Sequence, residues 1–140
     1  ARFLLMQWHT EGQGPYVVFS PPMNHGDALV QELQQWLEDN YSAGSTVDAL
    51  VKRSGLPERT LKRRFTKATG LAPIAYIQRL RIEEAKRRLE RTDLPVDEIS
   101  WTVGYEDPAF FRRLFKRATT VTPGEYRRKF RVPDFARAGR

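Results

Sequence analysis

The apolar residues of this chain recur at intervals of three and four, and the polar residues between them gather on the opposite faces. Between Val47 and Ser54, Val47, Leu50 and Val51 share one side while Asp48, Lys52 and Arg53 take the other, the pattern of a short helix with one buried stripe. Gly55 predicts its end, because glycine adopts the left-handed conformation that closes a helix at no steric cost, and Leu56 can tuck back under the turn. A second helix starts at once. Pro57 suits its first turn, where a missing N–H is no loss, and Leu61 and Phe65 at i, i+4 give it a narrow apolar seam. Arg59, Lys62, Arg63, Arg64 and Lys67 crowd its other faces, against one acid, Glu58, in the first turn. A solvated surface helix ordinarily mixes signs for i,i+4 support. A short helix, a glycine turn and a basic second helix on a single seam is instead the layout that lays a helix in the major groove of DNA.

The pattern occurs twice. Residues 96 to 115 again give a short helix with Val96, Ile99 and Val103 inside, a glycine at Gly104, and a second helix opened by Asp107 as N-cap and Pro108 in the first turn. Phe111 and Phe115 repeat the seam of Leu61 and Phe65, and Arg112, Arg113, Lys116 and Arg117 repeat the basic face. A unit duplicated at a spacing of about fifty residues is architecture before it is anything else. Between the copies, Pro73 to about Arg91 reads as one long helix. Ile74, Ile77 and Leu80, then Ile82, Ala85 and Leu89, lie on a drifting apolar face, and Arg79, Arg81, Lys86, Arg87 and Arg88 share the remainder with Glu83, Glu84 and Glu90. About eighteen residues make a rod of roughly 27 Å. With the width of the flanking units added, such a rod would bring two recognition helices near the roughly 34 Å between successive major grooves on one DNA face. Ahead of the first copy, Asp27 is expected to cap a helix running to about Asn40, with Leu29, Leu33, Trp36 and Leu37 buried and Tyr41 to Gly44 ending it. Trp36 reads as core and not as a ligand platform. After the second copy, Thr122 to Glu125 is a capping box with proline at the first helical position, followed by Tyr126 and Phe130 facing in and Arg127, Arg128, Lys129 and Arg131 facing out.

From about Gly26 to Phe130 the chain resembles the two-motif DNA-binding domain of AraC/XylS-type bacterial transcription regulators. The most specific stretch runs from Ile99 to Phe130: Ile99, Val103-Gly104-Tyr105, Phe111-x-Arg113-x-Phe115-Lys116 and Pro123-x-x-Tyr126-Arg127 resemble the family signature at its usual distances. Two positions depart from it. Thr120 stands where a glycine is commoner, and Pro57 where a serine usually caps the first recognition helix. Neither touches the buried seam. The resemblance implies an all-α fold of about seven helices, two helix-turn-helix subdomains at about 46–69 and 95–119 joined by a long linker helix, within a DNA-binding domain spanning 26–131. It implies double-stranded DNA as partner, cytoplasmic location and a role in activating transcription, and it leaves contact with RNA polymerase and dimerisation open. Carried over by position, the groove-facing residues are Arg59, Thr60, Lys62 and Arg63 on the first recognition helix and Pro108, Ala109, Arg112 and Arg113 on the second, with Lys116 on the phosphates.

The chain opens on Ala1 within ARFLLMQW, as a fragment would, and HTEGQGPYVVF resembles the last segment of the amidotransferase-like (PfpI-type) domain of GlxA-like regulators. That resemblance implies an upstream effector-sensing domain in the intact protein, with residues 1–25 a flexible tail and linker left from it. Ser20 to Gly26 is linker-like in composition. Residues 132–140 read as a loose basic tail.

Charge sharpens the partner. Of 24 lysines and arginines only Arg2 lies before Thr46, whereas five of the 17 acids do, so the net +7 hides a strongly basic segment that calls for a polyanion. At 140 residues and 16.3 kDa the chain can hold one ordinary domain with its own core. No apolar run reaches bilayer length and no signal-like start is present, which gives the expectation of a soluble protein with no membrane contact. The absence of cysteine removes disulfides, thiolate metal sites and cysteine nucleophiles. His9 and His25 lack partners at ligand spacing, no glycine-rich phosphate loop or GxSxG elbow occurs, and Glu83-Glu84 sits among arginines as a salt-bridge partner. The expectation is therefore no metal, no cofactor and no catalysis in this chain. Two rival classes remain: a less specific nucleic-acid binder, against which the aromatics fall on helical core positions, and the DNA-binding part of a protein whose upstream domain is enzymatic.

Overall fold

The structure, a computed structural model, describes residues 19–44 and 46–133. Within them the fold is all-α: α1 (Ala28–Asn40), α2 (Thr46–Ser54), α3 (Glu58–Thr69), α4 (Pro73–Arg91), α5 (Val96–Val103), α6 (Pro108–Thr119) and α7 (Pro123–Phe130), seven helices among the described residues. These residues fall into two compact units, 19–80 and 81–133, and α4 is continuous through the boundary. The resemblance of HTEGQGPYVVF to another domain's end lies almost wholly outside the described residues, as does the segment 134–140.

Each unit has its own core. In the first, Val30, Leu33, Leu37, Leu50, Leu61, Phe65, Tyr76, Ile77 and Leu80 are buried together; in the second, Ile82, Ala85, Leu89, Ile99, Val103, Phe111, Leu114, Phe115 and Tyr126 are. The layouts correspond helix by helix. The second half of α4 does in the second unit what α1 does in the first, offering Ile82, Ala85 and Leu89 where α1 offers Val30, Leu33 and Leu37. The seam phenylalanines meet a buried tyrosine edge-on in both units, Phe65 on Tyr76 at 5.1 Å and 88°, Phe115 on Tyr126 at 5.6 Å and 83°, an arrangement that aromatic quadrupoles favour. A buried threonine closes both seams. The Thr69 hydroxyl donates to Phe65 O and accepts from Leu71 N–H, and Thr119 does the same with Phe115 O and Val121 N–H.

Several faces differ from the periodic reading. On α1 the buried set is Val30, Leu33, Gln34 and Leu37, while Leu29 and Trp36 are only half-buried. Gln34 displaces them because its amide is fully used: Nε2 donates to Pro22 O and to the Tyr76 hydroxyl, and Oε1 meets His25 Nε2 at 2.7 Å. The linker-like stretch before α1 is thus tied to the first unit, with Phe19 edge-on to Tyr76 as well. On α4, Ile74 is 60% exposed and Tyr76 takes the core position instead. Arg81 and Lys86, expected outside, are buried: Arg81 lies over the Tyr105 ring at 4.8 Å, and Lys86 pairs with Glu83 at 3.0 Å. Their aliphatic stems cover apolar surface while the charged ends keep a partner. Arg127 on α7 also turns inward, donating from Nε to Leu89 O and from Nη2 to Thr92 O, so it satisfies carbonyls at the C-terminal end of α4.

Candidate nucleic-acid interface

The first helix-turn-helix is α2 and α3. Gly55 ends α2 with φ +70°, its N–H bonded to Val51 O, and Leu56 N–H is held by the Ser54 hydroxyl. Pro57 stands one position earlier than its composition suggests. It is the N-cap of α3, not a first-turn residue, and no side chain there accepts from the exposed N–H groups, so α3 starts without the bond that a serine would supply. Arg59, Lys62 and Arg63 are exposed on α3 and Thr60 is half-buried beside them. Lys62 is held by Glu58 one turn back at 2.6 Å, an exposed pair of small energetic weight. Arg64 is engaged differently: Nε and Nη2 donate to the two oxygens of Asp27 at 2.8 and 3.1 Å. Asp27 is also the N-cap of α1, accepting from Val30 N–H, and the Arg64 guanidinium is the leading reason its carboxyl lies below the usual aspartate range.

The second is α5 and α6. Gly104 closes α5 at φ +117°, a conformation that favours glycine, and a Cβ on it would stand 2.9 Å from the Arg81 guanidinium, which would have to shift. Asp107 caps α6 through Ala109 N–H, with Pro108 at its start. Ala109, Arg112, Arg113 and Lys116 are exposed and Pro108 is half-buried. Arg112 is paired with Asp97 of α5, and Arg113 lies over the Phe110 ring at 6.0 Å. Phe110 and Trp101, 39% and 54% exposed, were not expected at this surface. The doublet Phe110-Phe111 carried the signal, since only one of two adjacent phenylalanines can share a seam with Phe115.

Each set of sequence-derived candidates therefore lies on the outward side of the second helix of a helix-turn-helix, over an apolar seam. That arrangement defines a class of protein that offers a basic helix to a polyanion. A family model described as "Helix-turn-helix domain" matches residues 50–129. The chain is 36% identical over 105 residues to the uncharacterized HTH-type transcriptional regulator YdiP of Escherichia coli, and 38% identical over 98 residues to the HTH-type transcriptional activator RhaS of Pectobacterium carotovorum. These alignments cover 75% and 70% of this chain and 35% of either relative, so the chain spans about a third of the length of the curated relatives it matches. Among solved structures it resembles the DNA-binding domain of AdpA, a global transcriptional factor, in complex with a target DNA, at TM-score 0.70 and 30% identity over 74% of this chain and 94% of that one. It also resembles the C-terminal domain of AraT, a response regulator from Geobacillus stearothermophilus, at TM-score 0.74 and 26% identity over 78% and 91%. The chain belongs to the AraC/XylS-type helix-turn-helix family of transcription regulators.

Proposed function

We propose that this chain is the sequence-specific, double-stranded DNA-binding part of a bacterial transcription regulator, with α3 and α6 as recognition helices in successive major grooves. The observation that carries the reading is the duplicated unit itself: two helices held by the same seam of Leu61 and Phe65 or Phe111 and Phe115, each turning basic side chains outward. Arg59, Lys62 and Arg63, with Thr60, serve base edges and flanking phosphates from α3. Pro108, Ala109, Arg112 and Arg113 do so from α6, and Lys116 serves a phosphate. Long cations supply affinity without regard to sequence, whereas the few side chains at the leading face of each helix supply choice.

Around that activity we place the remaining partners. The resemblance of residues 9–19 to the end of an amidotransferase-like domain supports an upstream effector-sensing domain of the GlxA-like type. Relatives named as activators support activation of transcription in the cytoplasm, with RNA polymerase and a second copy as further partners. Among the described residues no helix is long and apolar enough to cross a membrane. A titration of the chain against duplex DNA, single strands and duplex RNA tests the central reading. Duplex DNA is expected to bind tightest, and a selection from a random duplex library to return a motif with two half-sites. Equal binding to all three polymers would overturn it.

A further inference from the structure

Among the described residues, Arg64 is the one outward cation of α3 that the fold ties to an acid beyond its own helix, the N-cap of α1. Arg59 and Arg63 make no ion pair among the described residues, and Lys62 is held only by its own helix. The corresponding residue of α6 is Leu114, buried, so the second unit makes no use of a charge at this position. Asp27 is placed to receive Arg64 by three local bonds. Its backbone N–H donates to His25 Nδ1, His25 Nε2 meets Gln34 Oε1, and its own carboxylate caps α1 through Val30 N–H. The Asp27 oxygens take the guanidinium by two parallel N–H bonds, the geometry with which arginine also takes a phosphate. The pair borders a surface hollow that Thr60, Arg63 and Lys67 also line, the side of α3 where a DNA backbone would pass.

We infer that Asp27 is an internal stand-in for a DNA phosphate: it keeps Arg64 from the duplex, so that α3 engages DNA through Arg59, Lys62 and Arg63 and the sequence-independent part of its affinity is held down. The inference rests on the DNA-binding reading. Asp27 is a positioning residue, acting on DNA only through Arg64.

Asparagine caps helices as well as aspartate does, so Asp27→Asn removes the charge while keeping the cap. The test measures affinity of the whole chain for a selected operator duplex and for random duplex across a salt series, with thermal melts alongside. In Asp27→Asn the freed Arg64 is expected to steepen the log-log salt slope by about one. That makes the change in affinity between roughly 50 and 200 mM salt about fourfold larger, equally for both duplexes. The double variant Asp27→Asn/Arg64→Gln should return to the parent slope. Arg64→Gln alone should leave that slope unchanged, as should Glu32→Gln, which removes the same charge from the exposed side of α1 without freeing an arginine. An unchanged slope in Asp27→Asn, an equal steepening in Glu32→Gln, or a slope lowered by about one in Arg64→Gln would each overturn the inference. A parent chain that binds neither duplex would overturn the DNA-binding reading instead.

Discussion

Thr120 holds φ at +71° as the C-cap of α6, with its N–H on Lys116 O, in the place where Gly70 holds +86° after α3. A β-branched residue in the left-handed region clashes with its own carbonyl and costs about 1–2 kcal/mol, part of which glycine gives back through its freer unfolded chain. Thr120→Gly is therefore expected to raise stability by about 0.5–1 kcal/mol, and Gly70→Thr to lower it by about 1–2 kcal/mol, both read from thermal or urea melts. The departure from the family's usual glycine was visible in the sequence, whereas its cost needed the dihedral angle. Two carboxylates set the behaviour in acid. Asp27 lies below its ordinary 3.8 because of Arg64, and Glu125 below its ordinary 4.5 because of the Thr122 backbone N–H in the capping box. A depressed folded pKa means stabilisation that is complete above the unfolded value and lost as pH falls through the folded one. The melting temperature should thus be insensitive to these groups above about pH 5 and fall below about pH 4, and Asp27→Asn or Glu125→Gln should flatten that acid limb. Tyr76 adds nothing in this range, since burial pushes its hydroxyl up to about 12.

At the scale of the elements, the helix ends were legible because their causes are local. Pro73 to Arg91, the Asp107-Pro108 start and the Thr122 capping box all fall where caps and prolines put them. The buried faces were less legible, because a face is chosen by what packs on it. The α4 helix serves two cores in turn, so its buried set passes from Tyr76, Ile77 and Leu80 to Ile82, Ala85 and Leu89, and one apolar stripe through Ile74 does not describe it. Arg81 and Lys86 read as surface because charged residues usually are, and periodicity offers no reason to bury Gln34, yet each is buried with a partner that only the folded chain supplies. The same limit applied to the interface. The basic outward residues of α3 and α6 could be placed from helical period alone, whereas the Asp27–Arg64 and Asp97–Arg112 pairs join residues 37 and 15 positions apart. Where periodicity and packing agree, the seam should dominate stability. Phe65 and Phe115 are fully buried, and replacing either with alanine removes an aromatic pair and leaves a cavity. Each substitution is expected to cost about 3–5 kcal/mol, measured by chemical denaturation. Variants melting within a degree or two of the parent would break the correspondence drawn between the two units.

Across the whole molecule each unit repeats the same kind of seam but not the same surface, and that difference should be readable in the DNA. On α3, Arg59 and Arg63 are exposed cations with no ion pair among the described residues, long enough to reach base edges over several pairs. On α6 the leading residues are Pro108 and Ala109, which offer only apolar contact such as to a thymine methyl. Behind them Arg112 is drawn to Asp97 and Arg113 rests over Phe110. An arginine already satisfied by an acid must give up that bond before it can read a guanine, so the second half-site is expected to depend more on phosphate contacts and DNA shape. The half-site under α3 is accordingly expected to be the more stringently specified. Arg63→Ala should relax base preference at one or two positions of that half-site and cost about 1–3 kcal/mol there. Lys116→Ala, which removes the exposed cation proposed to serve a phosphate, should weaken every duplex alike and lower the log-log salt slope by about one. Both variants are to be titrated against a panel of single-base operator changes at several salt concentrations. If Arg63→Ala instead lowers affinity evenly across the panel, or if the more tolerant half-site lies under α3, the division of labour between the recognition helices is wrong, while DNA binding by the domain would stand.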